Sequence, residues 1–382
     1  MKKTITLTIA TVALCMASAY AQKTDADEAP RNFGANKLLI AGHTTVTAVL
    51  DSSQNQISDA NFSAIFLYQL SEKLFVESEI EIETGDGAAD IGLEHANLVW
   101  MMCKNLAFHA GRFVPHFGAY RGKLGEGFMN RFPTDPVGFG DGGIGTMEAV
   151  GFGFQGGLAL GVSKMNYDLW LSNGPELLTD AENAGQFEYE AYNDNNKNKA
   201  IGGRIGFLPF SNSSLEVGLS YETAAKTQDQ YSLDKNIGVR AMAIDLNFYH
   251  KINPLKSTLR IIGEYKKQDV DKYDYPIADD TTGAVISFDN TASTYYAMAS
   301  IRPSGSDNKV LRNLELAFRY SQYTTPNNAP WAYYDKDGKN VPLSQTAIAL
   351  NYWFKWNCVA KLCYQMQDGE PNQFYIQLYY GF

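Results

Sequence analysis

The sequence predicts an all-β chain, an antiparallel up-and-down barrel of about sixteen strands. Three observations carry that expectation: a final run of strictly alternating side chains, connections that alternate in length, and strands whose second phase is charged. The final run is Phe374-Tyr375-Ile376-Gln377-Leu378-Tyr379-Tyr380-Gly381-Phe382. Phe374, Ile376, Leu378, Tyr380 and Phe382 are large and apolar, while Gln373, Gln377 and Gly381 fall on the other phase. Successive side chains of a strand point to opposite faces, so this segment is greasy on one side and polar on the other.

The amino terminus carries a different kind of signal. Lys2 and Lys3 precede an apolar stretch, Ile5 to Ala17, and Ser18-Ala19-Tyr20-Ala21 offers small residues before Gln22. That layout is a secretory signal peptide over residues 1–21, too short to span a bilayer as a helix. Leu14 stands where a lipidated Cys15 would need a small neighbour, so lipidation is not expected. Removing residues 1–21 from 382 leaves 361 and moves the net charge from −10 to −12. Residues 22–36, polar and acidic with Pro30, read as a short periplasmic leader, and the barrel itself is expected over 37–382.

Composition narrows the class. Hydrophobic residues make up 45%, yet mean hydropathy is slightly polar, which excludes a helical membrane bundle. The chain has 23 Tyr, 21 Phe and 5 Trp. Tyrosine and tryptophan favour the membrane–water boundary, and a barrel carries two girdles of them. There is no basic stripe, so no nucleic-acid partner is expected. Three cysteines remain after cleavage (Cys103, Cys358, Cys363), an odd number that argues against a disulfide framework.

Strand-like segments run at approximately 37–51, 61–70, 74–84, 91–102, 106–113, 148–156, 164–173 and 199–209. They continue at 214–223, 236–250, 256–268, 293–302, 312–323, 344–354, 358–368 and 373–382. Short links such as Ser71-Glu72-Lys73, Cys103-Lys104-Asn105 and Lys355-Trp356-Asn357 alternate with long polar ones at 114–147, 174–198, 224–235, 269–292 and 324–343. Tight turns at one end and long loops at the other are the habit of transmembrane barrels with an even strand count.

Many segments separate their faces cleanly. Leu215, Val217, Leu219 and Tyr221 oppose Glu216, Gly218, Ser220 and Glu222; Leu314, Leu316, Phe318 and Tyr320 oppose Glu315, Ala317, Arg319 and Ser321. Interior ionised groups in such numbers need water beside them. Glu77, Glu79, Glu81 and Glu83 share one phase of the third strand, and Arg204, Arg260 and Arg319 are expected on the inward phase of theirs. All seven are read as pore-lining.

The final run resembles the terminal strand of bacterial outer-membrane barrels, where a last aromatic and the alternating apolar positions before it form the assembly signal. Gln377 departs from that pattern at a place often held by glycine. The resemblance implies an outer-membrane location, with lipid, lipopolysaccharide and the barrel assembly machinery as partners.

Residues 114–147 form the longest connection, glycine-rich with Pro115, Pro133 and Pro136. Phe117, Tyr120, Phe128, Phe132 and Phe139 give it apolar groups to bury, which argues against disorder. Its position resembles the third external loop of sixteen-stranded porins, which folds into the barrel and narrows it. Gly111-Arg112-Phe113-Val114-Pro115-His116-Phe117-Gly118 also resembles a segment of phosphate-selective porins, with His116 interrupting the Pro-Phe pair. Arg112, His116, Arg121, Lys123 and Arg131, set against Glu126 and Asp135, are the expected constriction residues. Charge rings in a narrow pore select ions by sign. With the acidic third strand facing them, they would set up a transverse field.

The expected activity is passive diffusion of small hydrophilic solutes or ions through a Gram-negative porin. An anion or phosphate preference is the finer expectation, and a homotrimer is implied by resemblance. No catalytic, metal or cofactor constellation stands out: the five histidines have no ligand spacing. Asp335-Lys336-Asp337-Gly338-Lys339-Asn340 reads as a polar turn lacking the later glutamate of a calcium loop. The rival reading is an adhesion barrel acting through its long external loops.

Overall fold

The computed structural model describes residues 37–52, 55–85, 88–125, 127–140, 142–189, 199–224, 237–277 and 284–382. The signal peptide and leader expected at 1–36 lie outside the described residues, as does Glu126.

Sixteen strands close into one antiparallel barrel. They are β1 (38–50), β2 (55–69), β3 (74–85), β4 (88–103), β5 (106–113), β6 (149–160), β7 (163–172) and β8 (200–208). β9 (215–224), β10 (239–252), β11 (257–270), β12 (291–302), β13 (314–324), β14 (343–355), β15 (358–367) and β16 (373–381) complete it. Closure is made by β1 on β16, with His43 to Leu50 paired against Gly381 to Phe374. Closure leaves no unpaired edge, so every spanning backbone group can be satisfied internally.

The link lengths alternate as expected. At one end lie 70–73, 104–105, 161–162, 209–214, 253–256, 303–313 and 356–357, and both barrel termini share this end. The other end carries 114–148, 173–199, 225–238, 271–290 and 325–342, with shorter links at 51–54, 86–87 and 368–372. Two expected boundaries differ. β2 starts at Asn55 rather than about 61, because a bulge opposite Thr47 and Ala48 slips the side-chain phase and interrupts the alternation. β6 runs on through Gly156 and Gly157 to Leu160, where a turn at Gly161 (φ 69°) reverses the chain.

Side-chain exposure separates the two faces. Ile201 (59%), Leu219 (59%) and Leu378 (50%) stand outward, whereas Arg204, Glu222 and Lys361 (each 2%) point inward. Phe382, Tyr380 and Ile376 belong to the outward set. The oily exterior is the inverse of a soluble protein and calls for hydrocarbon around it. At the long-loop end, Leu177, Phe187, Ile237, Tyr275, Phe288 and Ala329 from four links form their own apolar cluster above β10 and β11.

Candidate functional site

Residues 114–148 pack against inward-facing side chains from β7 round to β16. Glycines let the chain come close. A Cβ on Gly118 (φ 74°) would sit 1.8 Å from Glu264 Oε1, and one on Gly145 (φ 87°) 2.1 Å from the Phe117 ring. Tyr120, Phe132 and Phe139 bury their rings in a cluster with Ile262, Tyr296 and Met298 of the wall. The rings supply the adhesion and the polar contacts fix the register.

Those contacts come from charged and amide side chains on the wall. Glu264 on β11 accepts from the backbone N–H groups of Ala119 (2.9 Å) and Tyr120 (2.8 Å). Arg319 on β13 donates to the carbonyls of Thr134 (2.6 Å) and Asp135 (3.1 Å) and to Gln345 Oε1 (2.8 Å). Lys361 on β15 donates to Gly127 O (3.2 Å). Asn351 on β14 donates to Arg131 O (3.1 Å). Lys266 lies 4.6 Å from the Phe139 ring centre and 5.7 Å from that of Phe117. Arg319 therefore faces the packed segment and not open water.

The basic residues of the segment are paired one by one. Arg112, on β5 itself, meets Glu148. Arg121 lies 3.0 Å from Glu148 and 3.6 Å from Glu94. Lys123 is 2.7 Å from Glu216, and Arg131 is 3.1 Å from Glu315. His116 Nδ1 lies 2.7 Å from Asp168, whose other oxygen is 3.6 Å from His109. Asp135 accepts from the Tyr120 hydroxyl at 2.7 Å. Burial pulls the Lys123 ammonium below its ordinary lysine value; Arg204 pushes the same way and Glu216 opposes.

Sequence reasoning placed Glu216 and Glu315 on the polar phase without naming them as partners, and it missed Glu94, Glu148 and Asp168. Four of these five carry only the general signal of an inward-phase or strand-edge carboxylate. Glu94 carries none, because a bulge opposite Glu79 and Ile80 turns both Glu94 and His95 inward, against strict alternation.

On β3, Glu77, Glu79 and Glu81 are half-buried and Glu83 is exposed. His95 sits 3.8 Å from Glu77 and 3.3 Å from Glu79, and Ser63 also bonds Glu79. β3 and β11 are eight places apart in the ring of sixteen, on opposite sides of the lumen.

Beneath the packed segment lies a cavity of about 1000 Å³ that reaches the short-turn end at Asn105, Ser213 and Trp356. Lys104, Lys123, Arg131, Lys164, Arg204, Arg260 and Arg302 line it against Asp168, Glu216 and Glu315, seven cations to three carboxylates. In a chain of net charge −10 this basic vestibule is a local inversion. Within it, Arg204 is held 2.7 Å from Asp245 and 3.0 Å from Glu216.

A closed sixteen-stranded barrel with an oily exterior, a charged interior and a connection packed against its inner wall is a porin-type barrel. Known structures bear this out. The chain is similar to OmpF of Salmonella typhi, solved with daunomycin, at 14% identity and TM-score 0.58, covering 90% of this chain and 97% of that one. It is similar to the DcaP channel of Acinetobacter baumannii (13%, TM-score 0.55, 90% and 97%). A third is the anion-selective porin of Comamonas acidovorans (12%, TM-score 0.51, 90% and 99%). Neither a protein-family profile nor a curated protein matches the chain.

Proposed function

We propose that the protein is a Gram-negative outer-membrane porin through which small hydrophilic solutes diffuse passively, with residues 114–147 narrowing the lumen. One observation carries this: an apolar outer face and a charged inner face on the same closed barrel, with a vestibule of about 1000 Å³ inside. Water must fill an interior that holds so many ionised groups. On this reading the acidic β3 wall and the basic vestibule opposite set up a transverse field that orients dipolar solutes. The vestibule's seven-to-three charge count supports a preference for anions. Residues 1–21 direct export, and a homotrimer is the assembly to test by detergent-complex mass.

Liposome swelling with graded sugars tests the pore, and impermeable liposomes would favour the adhesion reading instead. Reversal potentials in planar bilayers test the selectivity. Neutralising Arg121, Lys123 and Arg131 together should move the preference toward cations, and unchanged selectivity would reject the role of these residues.

A further inference from the structure

We infer that the vestibule contains a discrete binding site for a small oxyanion, a phosphate or carboxylate group, centred on Arg260. Arg260 projects inward from β11 and is 8% exposed, and its Nη2 is buried without a hydrogen-bond partner among the described residues. A buried guanidinium N–H left unpaired is costly, so its presence here points to an acceptor that arrives from outside.

The nearest carboxylate does not fill that role. Glu315 accepts from Arg131 Nε (3.1 Å), Ser300 Oγ (2.6 Å) and Trp353 Nε1 (2.8 Å), and none of these is Arg260. Two further guanidiniums line the same cavity as Arg260. Arg131 lies 5.1 Å and Arg302 5.5 Å from the Trp353 ring centre. Arg131, Arg260 and Arg302 thus line one cavity, open to the short-turn end, in which Glu315 is already bonded to Arg131. A planar fork of donors beside like charges suits a bidentate oxyanion, which would satisfy the orphaned N–H and relieve the repulsion.

The inference deepens the porin reading and draws its biological meaning from it, but its test does not need conduction. The full chain, folded in detergent, is titrated with inorganic phosphate by calorimetry. Saturable uptake of one phosphate per chain is expected. Arg260→Met should weaken it by about tenfold or more, while Arg240→Ala, at an exposed arginine paired with Asp271, should leave it unchanged. Ser300 is the cross-strand partner of Arg260, so Ser300→Asp supplies an internal carboxylate and should abolish uptake even if Arg260→Met fails to fold. No saturable uptake, or wild-type affinity in Ser300→Asp, overturns the site. Acetate in place of phosphate separates carboxylate from phosphate recognition. A protein that binds but never conducts keeps the site and loses the porin reading; one that conducts without binding does the reverse.

Discussion

The two sides of the inner wall hold their charges in opposite ways. From β7 to β15, Arg260 apart, several are buried and bonded: Asp168 and Glu315 keep 5% of their side-chain surface, and Arg319 and Lys361 end on backbone carbonyls of residues 127–135. On β3 and β4 Glu79 and Glu94 keep more of their surface, 18% and 23%, although Ser63 and His95 contact Glu79 and Arg121 lies 3.6 Å from Glu94. Inside a barrel an ionised group can be stabilised by a partner or by water. The packed side leans on partners, and the β3 side leans more on water.

The sharpest way to break this contrast is to remove an anchor. Arg319→Met strips donors from the Thr134 and Asp135 carbonyls and leaves them buried, so urea unfolding in vesicles should show a loss of about 3 kcal/mol. Glu83→Gln on the open wall should cost no more than about 0.5 kcal/mol. Equal losses would erase the distinction between the two sides.

A smaller effect is expected on selectivity. Converting Glu77, Glu79, Glu81 and Glu83 together to glutamine should raise the chloride-to-potassium permeability ratio about two- to threefold. A reversal potential that does not move would show that the acidic wall is remote from the ion path.

The smallest concerns Lys123. Its folded value lies below the ordinary lysine value near 10.5, so it loses its proton in a window where the unfolded chain is still charged. The unfolded state then binds more protons, and stability rises with pH across that window. Anion preference should fall over the same range, because the vestibule loses a cation. Comparing reversal potentials at both ends of it, the wild type should drift more than Lys123→Met; parallel drifts would remove Lys123 from the selectivity account.

Much of the frame was legible from local pattern. Alternation on β9 and β13 gave the correct faces because a strand's period is two and each face meets a different solvent. Link lengths gave the strand count and the shared end of the termini. Both signals fail at bulges, as at β2 and at Glu94, where one extra residue inverts the phase and nothing in composition marks it.

The inward direction of Arg204, Arg260 and Arg319 was readable from phase, and their separate situations were not. Arg319 anchors the packed segment, Arg204 is held by Asp245 and Glu216, and Arg260 keeps an unpartnered N–H. Those differences depend on where a chain 35 residues long, from 114 to 148, comes to rest against strands as distant in sequence as the one carrying Lys361. By itself, the sequence determined the barrel, its two faces and the residues available to line it, since these follow from period and solvent. Only the tertiary structure decided which charges are paired and which face water, because pairing depends on contacts between positions that no local pattern relates.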